Sequence, residues 1–317
     1  SITGEDATCM SVRFSEFGLE KGAYLFVWSP ITNQFIGRFD HRNKKEWGGL
    51  ATGVIIGSEI IVELHQPISR GTSAPIKIDQ AVYGYRSLLQ YAEDVASQFR
   101  GPFGSSGACN INVNCPEGAP WQTESRSVAI IVEGGWGACT GALINNTSND
   151  GTPYFLTANH CLGNPGSWLF YFNHESASCS GSTGPTNQSI SGANTLVSNG
   201  SSDYALLELS ETPPASFNVQ YAGFNASGST PESGVCIHHP GGDVKKICFE
   251  EDNPFQTNAG GAAVWYINQW EDGVTEPGSS GAPLFDHNHR IIGQLYGGSA
   301  ACNGSVNNGQ PDYYGRL

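Results

Sequence analysis

Three short segments of this chain carry side chains that could be assembled into an activated nucleophile. The first is Gly278-Ser279-Ser280-Gly281-Ala282-Pro283. A serine hydroxyl attacks poorly until a base takes its proton and donors receive the charge that develops on the attacked oxygen. Small residues around Ser280 permit a tight turn, so two main-chain N–H groups, those of Gly278 and Ser280, can point at one place. The second segment is Phe155-Leu156-Thr157-Ala158-Asn159-His160-Cys161, an apolar strand that ends in an imidazole. Its neighbour Cys161 can pin the loop through a disulfide. In the third, Ser202-Asp203-Tyr204-Ala205-Leu206-Leu207, one carboxylate stands just ahead of an apolar strand.

Taken singly, each segment has an ordinary reading: a Gly-Ser turn, a surface or structural histidine, a solvated acid. Together they supply every part of an acyl-transfer site. Ser280 is the expected nucleophile, His160 its base, and Asp203 the group that orients the imidazole and stabilises its charged form. The chain order His, Asp, Ser matches the chymotrypsin type, not the subtilisin or α/β-hydrolase orders. Such chemistry calls for no cofactor. No metal is expected either: the chain has no C-x-x-C pair, no H-E-x-x-H and no finger-like Cys/His spacing. His238 and His239 are adjacent in sequence, so they do not readily face one ion without further ligands.

The bulk properties narrow the setting. With a net charge of −14 and only 14% charged residues, the surface would repel nucleic acid and anionic membranes, and neither is an expected partner. Nine cysteines against one methionine point to an oxidising, extracellular compartment. No apolar run approaches the roughly 18 residues that would indicate a membrane span. The chain begins at Ser1 without a signal peptide, which fits a secreted protein whose signal has been removed.

The elements that must position these groups read as strands. Abundant Gly, with Ser, Thr and Asn between short apolar runs, indicates an all-β protein with many turns. In the first part, Ala23–Trp28, Gly53–Ile56 and Ile60–Leu64 alternate as strands of a small antiparallel sandwich. Leu88, Leu89, Ala92, Val95 and Ala96 recur at helical spacing between Tyr85 and Arg100. The breaker-rich run 101–107 then marks a linker. Beyond it Ser127–Val132, Tyr204–Leu209 and Ile291–Leu295 again read as strands. Two units follow: an N-terminal β domain with its linker over residues 1–103, and a catalytic domain over residues 104–317.

Longer strings carry a family likeness. Cys109-Asn110-Ile111, Cys115-Pro116-Glu117-Gly118, Cys139-Thr140-Gly141, Leu143-Ile144-Asn145-Asn146-Thr147, Thr157 to Cys161, Ile237-His238-His239-Pro240, and Val274 to Gly281 occur in order. Over about residues 104–316 the chain resembles the bacterial lysyl endopeptidase family. That resemblance implies two antiparallel β-barrels of the chymotrypsin type with the active site between them, and it places the family's triad at His160, Asp203 and Ser280. It implies disulfides Cys109–Cys302, Cys115–Cys179 and Cys139–Cys161. Cys236 and Cys248 remain; they flank what reads as a hairpin loop and are expected to form a fourth bridge. Cys9 stays without an assigned role. Asp312 in Asp312-Tyr313-Tyr314-Gly315-Arg316 resembles the family's acid in the pocket for the residue before the scissile bond, which implies protein or peptide substrates with basic residues, Lys preferred and Arg accepted. Tyr296, Gly297 and Gly298 are the further substrate contacts it implies.

The chain departs from the family pattern at three places. Tyr296 replaces a histidine, and Asn258 stands about where a tryptophan is found, with Trp265 or Trp270 as alternative aromatics. The position matching the family's mature start is Gly104, yet Phe103 precedes it and the nearest basic residue is Arg100. Residues 1–103 are similar to a pro-region, through Glu63-Leu64-His65-Gln66-Pro67 and Tyr83-Gly84-Tyr85-Arg86, which implies an intramolecular chaperone or inhibitor and a zymogen. Family members also continue past the position of Leu317. Alternatives are the same fold with another preference, a latent or silent binding protein that keeps the barrels, and a metal-dependent hydrolase.

Overall fold

The computed structural model describes residues 1–45, 48–67, 75–84, 106–133 and 136–317. The helix expected between Tyr85 and Arg100, the linker up to residue 105 and the Phe103–Gly104 junction lie outside the described residues.

The N-terminal part folds as expected into a sandwich. One antiparallel sheet runs Ile2–Thr3, Glu59–His65, Tyr24–Trp28, Phe35–Asp40; the other joins Cys9–Phe17 to Leu50–Ala51, Ile55–Ile56 and Ile76–Gly84. The period of two in each strand sends alternate residues inward. Leu25 and Val27 of one sheet meet Met10, Val12 and Phe14 of the other in a common core.

The catalytic part consists of two curled antiparallel sheets. The first has the order Ser189–Ser191, Leu169–Phe172, Val128–Glu133, Trp136–Leu143, Tyr154–Ala158, Tyr204–Leu209, Ala193–Asn199. Only Gly192 separates its two edge strands, so the curled sheet brings its two edges together at one end. Phe155, Phe170, Phe172, Trp168 and Leu207 fill its interior. The second sheet runs Phe255–Ala259, Ala262–Ile267, Asp312–Arg316, Ile291–Gly298, Pro283–Asp286, Gly234–His238, Lys246–Glu250, Ile111–Asn112, around Trp265, Trp270, Leu284 and Tyr314. Between the two sheets lies a third apolar cluster. Val128, Ala142 and Leu156 of the first sheet pack there with Val235, Ile237, Ile247, Phe285 and Ile291 of the second. This seam holds the barrels in register.

Three disulfides join Cys109 to Cys302, Cys115 to Cys179, and Cys139 to Cys161. The expected fourth bridge is absent: Cys236, Cys248 and Cys9 are buried thiols. The hairpin reasoning does find a neighbouring pair, since Cys236 lies directly opposite Cys248 in the ladder. Both are fully buried in the second core, and burial raises the Cys248 thiol well above its usual range. Oxidation proceeds through a thiolate, which this environment suppresses.

The sandwich rests on the outside of the first barrel. Ser191 donates its hydroxyl to the Ala51 carbonyl at 2.8 Å and accepts the Ala51 N–H at 3.3 Å. Lys45, only 6% exposed, reaches the Ser210 hydroxyl and lies 3.8 Å from Glu211.

Candidate active site

His160 follows the strand Tyr154–Ala158 in a single 3-10 turn, Asn159–Cys161. Its backbone N–H donates to Asp203 Oδ1 at 2.9 Å, and its Nδ1 lies 2.6 Å from Asp203 Oδ2. A carboxylate only accepts, so Nδ1 carries the proton and Nε2 is left as the base. The Asp203 side chain is 4% exposed against 43% for His160. One partner is nearly dry while the other opens to solvent.

Asp203 is placed by backbone geometry. It adopts φ 54, in the left-handed region, immediately before the strand Tyr204–Leu209, and an aspartate tolerates that region better than most residues. Asn159 N–H donates to its carbonyl at 2.7 Å. The buried Gln294, on the second barrel, donates from Nε2 to the carbonyl of Ser202 at 2.7 Å. The carboxylate of one barrel is thus braced by the other.

The Ser280 loop lies against the same end of the first barrel. Thr140 N–H donates to the Ser280 carbonyl at 2.8 Å, and Cys161 Sγ stands 3.7 Å from that oxygen. Gly281, at φ +81, is so close to the strand before His160 that a Cβ would meet Thr157 Oγ1 at 2.2 Å. Any side chain there would push the loop away.

Peptide planarity fixes where the loop's amides point, because each N–H is directed opposite the carbonyl of its own peptide unit. The Pro277 carbonyl accepts Gly241 N–H at 2.6 Å, and the Ser279 carbonyl accepts Ala282 N–H at 2.9 Å. The Gly278 and Ser280 N–H groups therefore face away from those partners. Among the described residues neither amide has a protein acceptor. Two oriented and unused donors beside a serine can receive an oxyanion.

Asp312 opens the strand Asp312–Arg316 and is 1% exposed. Its Oδ2 accepts Trp270 Nε1 at 2.8 Å and Thr275 Oγ1 at 2.6 Å. Desolvation dominates these bonds and raises its pKa to about 6. Gly298 pairs with it across the ladder; a Cβ on Gly298 would come within 2.1 Å of Asp312 Oδ1. Any side chain there would displace the carboxylate, whereas Gly297 has nothing within 4 Å of its own Cβ position. Tyr296 is half-buried, its hydroxyl beside the Gly260 turn. Asn258 is exposed on the strand Phe255–Ala259. Of the two candidate tryptophans, Trp270 touches Asp312, while Trp265 is buried under Arg316.

Two barrels joined by an apolar seam, with an aspartate-held imidazole on one and a serine loop on the other, define the chymotrypsin-type fold. Residues 103–315 match the family described as "Lysyl endopeptidase, C-terminal domain". That is more than half of the chain, and the chain belongs to this family. It is 29% identical over 284 residues to a lysyl endopeptidase of Pseudomonas aeruginosa, covering 82% of this chain and 59% of that protein. The chain thus spans about 59% of the length of that relative. The Rv3671c protease from M. tuberculosis is similar at 19% identity. Its active form gives a TM-score of 0.43 over 71% of this chain and 88% of that one; an inactive serine-to-alanine form gives 0.41 over 65% and 86%.

Sequence reasoning offered Trp270 as an aromatic near the site but did not find Thr275, Gln294 or Thr140 as its partners. Thr275 and Thr140 stand inside the family strings, but nothing local says what they touch. The buried imidazoles were also missed. His174, His238 and His239 are almost wholly buried, and desolvation lowers the first two to about 4 and about 3 and the third well below its usual value. Lys245 and Lys246 beside them push the same way.

This burial has a sign. The unfolded imidazoles take protons near pH 6.5 and the folded ones do not, so their stabilisation is complete above that pH and is lost as pH falls. Asp312 and Glu250, raised to about 6 and about 7, act oppositely, since folding protonates them sooner. Three groups outweigh two. Unfolding at pH 5 should take up about one proton net, and the melting temperature should fall from pH 6.5 to 5. Calorimetry in buffers of different ionisation enthalpy measures both; a melting temperature that rises over this range contradicts the assignment.

Proposed function

We propose that this chain is a secreted serine endopeptidase that cuts after basic residues, Lys preferred and Arg accepted, through His160, Asp203 and Ser280. One observation carries the reading: the nearly dry carboxylate of Asp203 grips His160 at both Nδ1 and the backbone N–H. That arrangement fixes the tautomer a base needs. In the reaction Ser280 Oγ attacks the scissile carbonyl while His160 Nε2 takes its proton. Asp203 stabilises the imidazolium, and the Gly278 and Ser280 N–H groups receive the oxyanion. His160 then passes the proton to the leaving amine, and water releases the acyl-enzyme by the reverse use of the same groups. Family membership supports the assignment, as do three disulfides of the kind that persist outside the cell.

Asp312 is assigned to the pocket for the basic side chain. A substrate ammonium would pair with a carboxylate that burial otherwise pushes toward its neutral form, so binding and ionisation reinforce each other. Tyr296, Gly297 and Gly298 are assigned to the wall beside it. Residues 1–103 are assigned to a pro-region-like domain and residues 104–317 to the protease. Among the described residues the sandwich bonds to the first barrel at Tyr171, Ser191, Ser210 and Glu211, none of them a proposed catalytic group. That favours a folding aid over a plug in the cleft. A chain beginning at Gly104 should refold in much lower yield than the full chain; equal recovery of activity rejects this role.

Mass-spectrometric mapping of cuts in a denatured protein mixture tests the central reading. Cleavage should follow Lys, with a minority after Arg. Ser280→Ala should lower kcat by roughly 10⁶-fold and Asp203→Asn by roughly 10⁴-fold. Asp312→Asn should cost Lys substrates on the order of 10²–10³-fold in kcat/KM, and in the parent enzyme that parameter should fall below about pH 6 as Asp312 takes a proton. Cuts mainly after apolar or acidic residues would reject the assignment of Asp312.

A further inference from the structure

The residue just before the proposed nucleophile is among the most buried in the molecule. Ser279 is 0% exposed, and so is His238 at the end of the strand Gly234–His238. Their side chains meet, with His238 Nδ1 2.7 Å from Ser279 Oγ. The same Oγ accepts the N–H of Glu276 at 3.2 Å, while Ser279 N–H donates to the Glu276 carbonyl at 2.9 Å. Ser279 thereby closes a short ring over Pro277 and Gly278, the stretch that carries the first oxyanion donor.

Burying this imidazole is unfavourable. Desolvation drives its pKa down to about 3, and its Nε2 is buried with no hydrogen-bond partner among the described residues. An apolar pair could pack the same space without that penalty, but it could not fix direction. A hydrogen bond does. The next residue of the strand extends the hold: His239 N–H donates to Thr140 Oγ1 at 3.1 Å, and that hydroxyl donates to the Gly278 carbonyl at 2.9 Å. One strand end therefore reaches the loop twice, once directly and once through Thr140. On the far side, the Glu276 carboxylate accepts Gly107 N–H and Asn110 Nδ2, both at 2.8 Å.

We propose that Ser279 and His238 are positioning residues of the oxyanion hole. The Ser279 hydroxyl, accepting from Glu276, donates to His238 Nδ1 and so locks the peptide planes that aim the Gly278 and Ser280 N–H groups. Neither residue touches substrate. The inference rests on the serine-protease reading above and adds to it the device that keeps the hole preformed. Preorganised donors stabilise the transition state because they need no reorientation when charge develops.

The test compares Ser279→Ala, His238→Leu, their double variant and His238→Asn in the full chain. Asn is chosen because its amide reaches about where Nδ1 lies. On a Lys substrate, the two single variants should lose on the order of ten- to a hundredfold in kcat, part of what loss of a whole donor produces, with KM within about threefold. A peptide boronic acid with Lys at its reacting end, whose adduct places oxygen in the hole, should weaken by the same factor. Benzamidine, which makes no such oxygen, should bind unchanged. The double variant should be no worse than the poorer single one, and His238→Asn should recover most of the loss. Ser279→Ala is nearly isosteric, so folding is not at stake. The proposal is overturned if kcat stays within about twofold in both single variants, or if KM rises and benzamidine affinity falls by as much as kcat does. A wild-type chain that cuts nothing after Lys or Arg would instead refute the enzyme reading itself, and this inference with it.

Discussion

The contact between Asp203 and His160 sets the terms for the rest of the molecule. A carboxylate kept this dry is unfavourable unless its oxygens are satisfied, and both are spent on one residue, the ring and the amide of His160. The bond is useful only if the imidazole then faces a nucleophile carried by the other barrel. Misplacement by about an ångström can cost on the order of 10²-fold in rate. The seam of Val128, Ala142, Leu156, Ile237, Ile247, Phe285 and Ile291 packs the two barrels against each other. Gln294 adds a polar fixing point by bonding the carbonyl just before Asp203.

One strand links the proposed catalytic acid to the proposed pocket acid. Ile291–Gly298 carries Gln294, which bonds the carbonyl just before Asp203, and Gly298, where any side chain would collide with the Asp312 carboxylate. It also pairs with Asp312–Arg316. Asp312 is held by Trp270 and Thr275, and Thr275 lies three residues before Gly278. The loop proposed to form the oxyanion hole thus begins beside the proposed pocket acid. A basic side chain seated on Asp312 would register the scissile bond against the hole through a few rigid residues.

Much of this could be read from sequence because it is written locally. Short apolar and β-branched runs bounded by turn residues identified the strands at Tyr24–Trp28, Glu59–His65, Val128–Glu133 and Tyr204–Leu209 to within a few residues. The order of the His160, Asp203 and Ser280 segments indicated the chemistry. What could not be read depends on contacts between distant positions. Nothing near residue 238 in sequence says that its imidazole meets Ser279, 41 residues away. Nothing near Asp312 says that Trp270, 42 residues away, bonds it. Cys236 and Cys248 mislead for a related reason: strand pairing brings them together as inferred, but their reactivity follows from the core around them, which spacing does not report.

The most direct test is covalent labelling of the full chain with a fluorophosphonate, followed by peptide mapping. The account predicts one modified residue, Ser280, with labelling lost in His160→Ala and strongly slowed in Asp203→Asn. Absence of labelling in the parent chain, labelling at another residue, or labelling that survives His160→Ala at the parent rate would contradict it.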